Sequence, residues 1–152
     1  MADGLYTSIE VSATGLSAQR LAMDVIANNI ANVNTTRTAE GGPFKRQLVV
    51  FAQKNEAAAK GSLNPMDDSS DPGASRAGVD VVGIVKDQSP DKLVYDPSHP
   101  DADANGYVHM PNIEVVKEMV DMMAASRAYE ANVTAIQETR AMGTSTLGLL
   151  RA

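Results

Sequence analysis

The C-terminal region of the chain carries the feature that most constrains its fold, an uninterrupted heptad pattern. The positions alternate spacings of four and three residues, the period of a coiled-coil helix. They are Val115, Met119, Met122, Ser126, Tyr129, Val133, Ile136, Arg140, Gly143, Leu147 and Leu150. Asn112 is a suitable helix cap and Glu114 is placed favourably in the first turn. A helix of about 38 residues reaches roughly 57 Å, so a small domain could not bury its stripe.

A second helical pattern runs from Thr7 to about Val33. Its apolar row is spaced by sevens, with two further members one turn away. These residues are Ile9, Leu16, Met23 and Ile30, joined by Ile26 and Val33. Thr7–Glu10 is predicted to form a capping box at the start of the helix. Four asparagines between positions 28 and 34 are predicted to end it, because asparagine is poor in helix interiors and favoured at caps and turns.

The segment between the two helices has the composition of short strands. Phe44–Phe51, Gly78–Val85 and Lys92–Tyr95 are rich in β-branched and aromatic residues. The last two are predicted to form a hairpin through residues 87–91, which gives a three-strand β unit. Residues 54–77 contain almost nothing that could pack and are predicted to form a mobile loop.

These patterns predict a mainly α fold with a small β insert. The long N- and C-terminal helices are expected to pair as an antiparallel coiled-coil hairpin. The predicted domains are a terminal helical domain, residues 1–36 plus 112–152, and a β-rich insert, residues 37–111, that contains the flexible loop. More than one face of the last helix is semi-apolar, through Ala124, Ala125, Ala128, Ala131, Ala135 and Ala141 and, beside the main seam, Val116, Val120 and Met123. We therefore expect other subunits to pack against it, in heterologous contacts that propagate into an open helical assembly.

Composition and motifs exclude several classes of protein. The 152 residues suit one domain, and the net charge of −6 without a basic block argues against nucleic acid as a partner. No stretch approaches the ~18 apolar residues of a spanning helix, so membrane insertion is not expected, and the N-terminus lacks a secretory signal pattern. The chain has no cysteine and no catalytic or phosphate-binding motif. We expect no enzyme activity, no catalytic residues and no cofactor.

Two metal-site interpretations are weighed against simpler ones. Asp101–Tyr107 matches the first half of a calcium-binding EF-hand loop, but its twelfth position is Asn112 where a glutamate is needed. His99 and His109 lie ten residues apart, which is not the spacing of a compact metal site. A polar turn and two surface histidines are the favoured interpretations, and no metal site is predicted.

The segment Ala27–Thr35 resembles the N-terminal signature of bacterial flagellar axial proteins, the family of rod, hook and hook-associated subunits. Further segments are similar to the proximal rod proteins of that family. They are Arg37–Phe44, Gly78–Ile84, Leu93–Pro97 and His99–Ala102, then Asn112, Glu118–Met119, Met122 and Ser126–Asn132. The signature positions are Asn28, Asn29, Ala31, Asn32, Gly41, Gly42 and Pro43. Only the loop at 54–77 lies outside the resemblance.

The resemblance implies a structural subunit of the proximal rod in the flagellar basal body, located in the rod that spans the periplasm. In this family the terminal helices assemble into the inner tube of the axis, and the rod transmits torque as a drive shaft. The implied partners are neighbouring proximal and distal rod proteins, copies of the chain itself, the basal-body ring with its adaptor, and the flagellar type III export apparatus.

The expected subunit interface is formed by the helix seams. Its residues are Ile9, Leu16, Met23, Ile26, Ile30, Val33, Val115, Met119, Met122, Tyr129, Val133, Ile136, Leu147 and Leu150. An alternative from another class is a soluble helical-hairpin adaptor or export chaperone, which would use the same stripes to hold a client. Such an adaptor would not need the intervening β unit.

Overall fold

The computed structural model describes residues 2–54 and 78–149. Two long helices enclose four short strands in the sequence. The order is α1 (Ala2–Ala31), β1 (Gln47–Gln53), β2 (Val79–Lys86), β3 (Lys92–Tyr95), β4 (Tyr107–Met110) and α2 (Val115–Leu149). The prediction of a mainly helical chain with a small β part is confirmed.

Helix α1 begins earlier than its sequence signals indicated. It starts at Ala2, so Thr7–Glu10 lies inside the helix, and the prediction of a capping box at that point is wrong. The end of the helix is as predicted, because the backbone and side-chain amides of Asn32 both donate to the carbonyl of Asn28, at 3.1 and 2.9 Å. These bonds satisfy a carbonyl that the last turn would otherwise leave without a partner.

Helix α2 runs without interruption from Val115 to Leu149, as the heptad pattern predicts. It begins three residues after Asn112, and the amide of Glu118 donates to the carbonyl of Glu114 at 3.0 Å. Glu114 therefore holds the cap position, and the prediction of Asn112 as the cap is wrong. Leu150 lies outside the described residues.

The strands pair differently from the prediction. β1 pairs with β2 and β3 pairs with β4, so the structure has two two-stranded sheets, both antiparallel. The predicted three-strand unit with a hairpin between β2 and β3 is therefore wrong. In the second sheet the register runs from Lys92 opposite Met110 to Tyr95 opposite Tyr107.

Two local features explain the change of partner. After β2, the Asp87 carboxylate accepts from the amide and hydroxyl of Ser89, at 2.9 and 2.6 Å, and this side-chain turn closes the segment without a hairpin. Before β4, Gly106 adopts a φ of 80°, which suits a tight turn that only glycine forms at low cost. The four-residue strand that follows this turn is not predicted from the sequence.

The chain divides into two compact units. The first contains residues 1–19, 51–82 and 127–152, and the second contains residues 20–50 and 83–126. The predicted division into a terminal helical domain and a β insert stays a prediction. The predicted mobile loop lies outside the described residues, apart from Lys54.

In the first unit, side chains of α1 contact both β2 and α2. The Thr14 hydroxyl accepts from the backbone amide of Val79 at 3.1 Å. A Cβ on Gly15 would meet the Asn132 amide at 3.1 to 3.4 Å. Glycine therefore allows a close approach between the two helices at this point.

The buried residues of the described chain are small or polar. The buried apolar side chains are Ala18, Ala22, Val25, Val108 and Ala125, and the largest fully buried side chains are Glu118 and Asn29. Alanine buries little area, and burial contributes about 25 cal/mol per Å². A large apolar core is therefore absent from the described residues.

Candidate functional site

A cluster of three polar side chains lies within the second unit, and we call Asn29, Arg46 and Glu118 the polar node. Asn29 and Glu118 are each 1% exposed. Glu118 accepts from Asn29 Nδ2 at 3.0 Å through Oε2 and from Arg46 Nε at 2.6 Å through Oε1. Both carboxylate oxygens therefore have a partner, which a buried carboxylate needs if it is not to destabilise the fold.

Asn29 also holds the first residue of β1. Its Nδ2 donates to the carbonyl of Gln47 at 2.9 Å, and its Oδ1 accepts from the amide of Gln47 at 2.9 Å. The asparagine amide thus pairs with both backbone groups of Gln47, as a neighbouring strand would. One side chain at the end of α1 therefore fixes where β1 begins.

Arg46 links the node to two further residues. Its Nη2 lies 3.4 Å from Asp121 Oδ2, and its backbone carbonyl accepts from the amide of Asp87 at 2.7 Å. None of the described buried side-chain nitrogen or oxygen atoms lacks a hydrogen-bond partner. The node therefore joins the end of α1, the start of β1 and the first turns of α2 through fully satisfied polar groups.

A different side of α2 in the same unit is apolar and exposed. We call Val116, Met119, Val120 and Met123 the outer face, and their exposures are 69%, 55%, 53% and 53%. Their spacing of three and four residues places them side by side on the helix. A contiguous exposed patch of this kind is typical of an interaction site.

The predicted seam residues differ in burial between the two helices. In α1, Ile9, Leu16, Met23 and Ile30 are half-buried, and so are Ile26 and the following Val33. In α2, Val115 and Met119 are exposed, whereas Met122, Tyr129, Val133 and Ile136 are half-buried. Leu147 is in the helix, but its side chain, like Leu150, lies outside the described residues. That these residues contact other subunits stays a prediction.

Along α2, each of the most buried residues comes one position before a residue of the predicted heptad. Glu118, Ala125 and Thr139 are buried, in place of Met119, Ser126 and Arg140. The buried row is polar or small, so a search for large apolar residues selects the neighbouring row instead. For this reason the heptad pattern predicts no structural role for Glu118.

The signature asparagines perform different tasks within the chain. Asn28 Oδ1 accepts from Asn32 Nδ2 at 2.6 Å, and Asn32 Oδ1 accepts from the Thr35 hydroxyl at 3.1 Å. Ala31 is exposed as the last residue of α1. The remaining signature residues, Gly41, Gly42 and Pro43, form a turn in which both glycines have positive φ values, 87° and 78°.

Carboxylate oxygens in the polar loop before β4 accept hydrogen bonds from other groups of the chain. Asp103 Oδ1 accepts from the amides of Asn105 and Tyr107, at 2.8 and 2.9 Å. The bond from the Tyr107 amide is the main cause of a lowered pKa for the Asp103 carboxyl, because it favours the charged form. Asp101 Oδ2 accepts from the Thr36 hydroxyl at 2.8 Å. These hydrogen bonds form a polar turn.

The two histidines do not share a metal-binding arrangement. His99 Nδ1 accepts from the amide of Asp101 at 3.1 Å, and His109 Nδ1 lies 3.8 Å from Asp91 Oδ2. Within residues 2–54 and 78–149, no group of three or more metal-ligating side chains is positioned to hold an ion. In the same part of the chain, neither helix has the length and apolarity needed to cross a membrane.

Comparisons with known proteins support the family resemblance of the signature segments. The family model "Flagella basal body rod protein" matches residues 9–37, and "Flagellar basal body rod FlgEFG protein C-terminal" matches residues 104–149. The flagellar basal-body rod protein FlgC of Borreliella burgdorferi is 52% identical over 97% of this chain and 99% of its own length. The chain belongs to the FlgC family. It is therefore a structural subunit of the flagellar basal-body rod.

More distant relatives give the same assignment. FlgC of Bacillus subtilis is 43% identical over 90% of this chain and 92% of its own length. FlgC of Escherichia coli O6:H1 is 40% identical over 95% of this chain and 97% of its own length. The predicted location in the basal-body rod is thereby confirmed, and the adaptor alternative gains no support from these relatives.

Proposed function

We propose that the chain builds the flagellar rod through two different surfaces of its terminal helices. One surface pairs α1 with α2 inside the subunit as an antiparallel coiled-coil hairpin. The other is the outer face of α2, which docks onto a helix of a neighbouring rod subunit. The hairpin gives each subunit a stiff element, and the docked face joins the elements of successive subunits into a shaft that carries torque.

Two contacts support the antiparallel pairing, one in each unit. Gly15 lies against Asn132 in the first unit, and Asn29 bonds Glu118 in the second. From the first contact to the second, α1 advances from residue 15 to 29 while α2 goes back from 132 to 118. Both steps are fourteen residues, or two heptads, and they run in opposite directions, as an antiparallel coiled coil requires.

The observation that carries the docking proposal is the exposure of the outer face. All four side chains are more than half exposed and point away from the polar node's carboxylate, which is 1% exposed on the same helix. Leaving this much contiguous apolar surface in water is unfavourable, at about 25 cal/mol per Å². The occupant that we propose is the apolar face of a helix in a neighbouring rod subunit, because such faces are complementary by shape and by the absence of charge.

A double substitution tests the docking proposal. V116D/V120D adds two negative charges to the outer face, so it should prevent docking without disturbing buried residues. In a flagellated bacterium whose own copy of the gene has been deleted, we expect incorporation of the variant into isolated basal bodies to fall about tenfold or more relative to the wild-type chain. Motility should fall with it.

The matched control is K117D. It changes the net charge by the same two units at an exposed position between the two valines but leaves the apolar residues intact. We expect K117D to be incorporated as well as the wild type. Wild-type incorporation of V116D/V120D, or an equal loss for K117D, would contradict docking through the outer face.

The neighbours of the subunit are part of the same proposal. We infer that they are other proximal and distal rod proteins and further copies of this chain, with the basal-body ring and its adaptor at the base. We also infer that the flagellar type III apparatus exports the chain. The family resemblance supports these assignments, and crosslinking from a photoreactive residue at position 120 in intact basal bodies, followed by mass spectrometry, would identify which protein covers the outer face.

A further inference from the structure

We propose that Met119 and Met123 form a peroxide-sensitive modification site that blocks docking of the unassembled subunit. The proposal rests on the docking function proposed above for the outer face. Both thioethers are accessible, since the two residues are 55% and 53% exposed. They are one helical turn apart, so a single face carries both sulfur atoms.

The surroundings of these methionines differ from those of Met142. The helix neighbours of Met119 three and four residues away are Val115, Val116, Met122 and Met123, all of them apolar. Those of Met123 are Met119, Val120, Ser126 and Arg127, of which the two on the outer face are apolar. Met142 is equally accessible at 56%, but its neighbours at the same spacings are Glu138, Thr139, Ser145 and Thr146. Oxidation at 119 and 123 therefore changes an apolar face, whereas oxidation at 142 changes an isolated side chain.

The chemistry needs only hydrogen peroxide as the oxidant. A lone pair of the methionine sulfur attacks one peroxide oxygen, a sulfur–oxygen bond forms, the oxygen–oxygen bond breaks, and one water molecule is released. The sulfur is oxidised by two electrons to the sulfoxide and the peroxide is reduced by two. The product is a polar, chiral side chain that disrupts methionine-rich contacts, and methionine sulfoxide reductases reverse it.

The consequence is a reversible block on assembly. A sulfoxide oxygen on the outer face would have to leave water to enter an apolar contact, without a hydrogen-bond donor opposite it. Once the face is docked, the same atoms are covered and protected. Oxidation at this site therefore affects subunits that wait for assembly and spares subunits that are already in the rod.

The first experiment measures where peroxide reacts on the purified, folded chain. Limited treatment followed by peptide mass spectrometry should show Met119 and Met123 oxidised about as fast as Met142 and several-fold faster than the half-buried Met122. Equal oxidation rates at Met119, Met122 and Met123 would overturn the assignment, because peroxide would then not distinguish the exposed methionines from the half-buried one.

The second experiment measures the effect on assembly in cells lacking their own copy of the chain. M119Q/M123Q places polar groups at the two sulfur positions, and we expect incorporation into basal bodies to fall about tenfold. M142Q and M119L/M123L should be incorporated as the wild type is. In addition, peroxide applied before assembly should reduce incorporation of the wild type but not of M119L/M123L.

The outcomes separate this inference from the docking proposal. If V116D/V120D is incorporated normally, docking through the outer face is wrong, whatever the methionines do. If V116D/V120D blocks incorporation while M119Q/M123Q does not, the docking face stands and the modification site is wrong. Peroxide sensitivity that persists in M119L/M123L would also overturn the site, because another residue would then be responsible.

Discussion

The first turns of α2 present two faces of opposite character. The face towards the polar node carries a carboxylate that is 1% exposed and an alanine that is 7% exposed, Glu118 and Ala125. The outer face carries four valine and methionine side chains that are all more than half exposed. In an ordinary surface helix the apolar side faces inward and the charged side faces water. Here the exposed side carries large apolar residues, and the buried side carries a carboxylate.

This contrast supports the proposal that the two faces meet different partners, one inside the subunit and one in a neighbouring subunit. Small residues and a satisfied carboxylate suit a close contact within the subunit, because the geometry of each hydrogen bond selects one register. Large flexible apolar residues suit contacts with other subunits, because methionine adapts its shape at low cost. Amphipathic patterning therefore identifies an apolar face but not the partner that covers it.

The largest effect on the free energy of unfolding should come from a charge on the buried face, with a charge on the outer face as the comparison. We expect A125D to lower the free energy of unfolding by about 4 kcal/mol, since an unpaired carboxylate would replace a buried methyl group. V120D should change it by less than about 0.5 kcal/mol, because the position is already exposed. Urea denaturation of the purified chains, followed by circular dichroism, measures both values. Equal losses would show that the two faces are not distinct.

The long helices could be predicted from the sequence because their signals are local. A heptad that persists through α2 and an asparagine cluster after α1 each fix an element without reference to the rest of the chain. The strand partners could not be predicted in this way. They depend on the Asp87 side-chain turn and on the short strand β4, whose pairing with β3 is a contact between residues distant in the sequence.

The candidate site was predicted in part. The outer face was visible as an excess of apolar residues on α2, which the sequence analysis assigned to contacts with other subunits. The polar node was not predicted, because Arg46 and Glu118 are 72 residues apart and charged residues are usually exposed. The contribution of Asn29 was also missed, since asparagines near a helix end are normally interpreted as caps.

The next largest effect should follow from removing the carboxylate of the polar node. E118A would leave the Arg46 guanidinium and the Asn29 amide without their shared acceptor. Breaking a buried pair by deleting one partner costs about 3 kcal/mol or more, and we expect a loss of that size in urea denaturation. E138A, at an exposed position of the same helix, is the control and should change stability by less than about 0.5 kcal/mol. A loss equal to that of the control would mean that the node does not hold α2.

The smallest effect should come from the amide that holds β1. N29A removes the partner of both backbone groups of Gln47, and an unsatisfied buried group costs about 1 to 3 kcal/mol. The substitution also removes one of the two partners of the Glu118 carboxylate. We expect a loss within this range but below that of E118A, because water can reach the half-buried Gln47 and Arg46 still pairs with Glu118. N34A, at an exposed asparagine, should have almost no effect. Hydrogen exchange at the Gln47 amide gives a second readout: it should accelerate in N29A and stay slow in N34A. Slow exchange in both variants would show that β1 is fixed by its pairing with β2 alone, and that the node acts only between the helices.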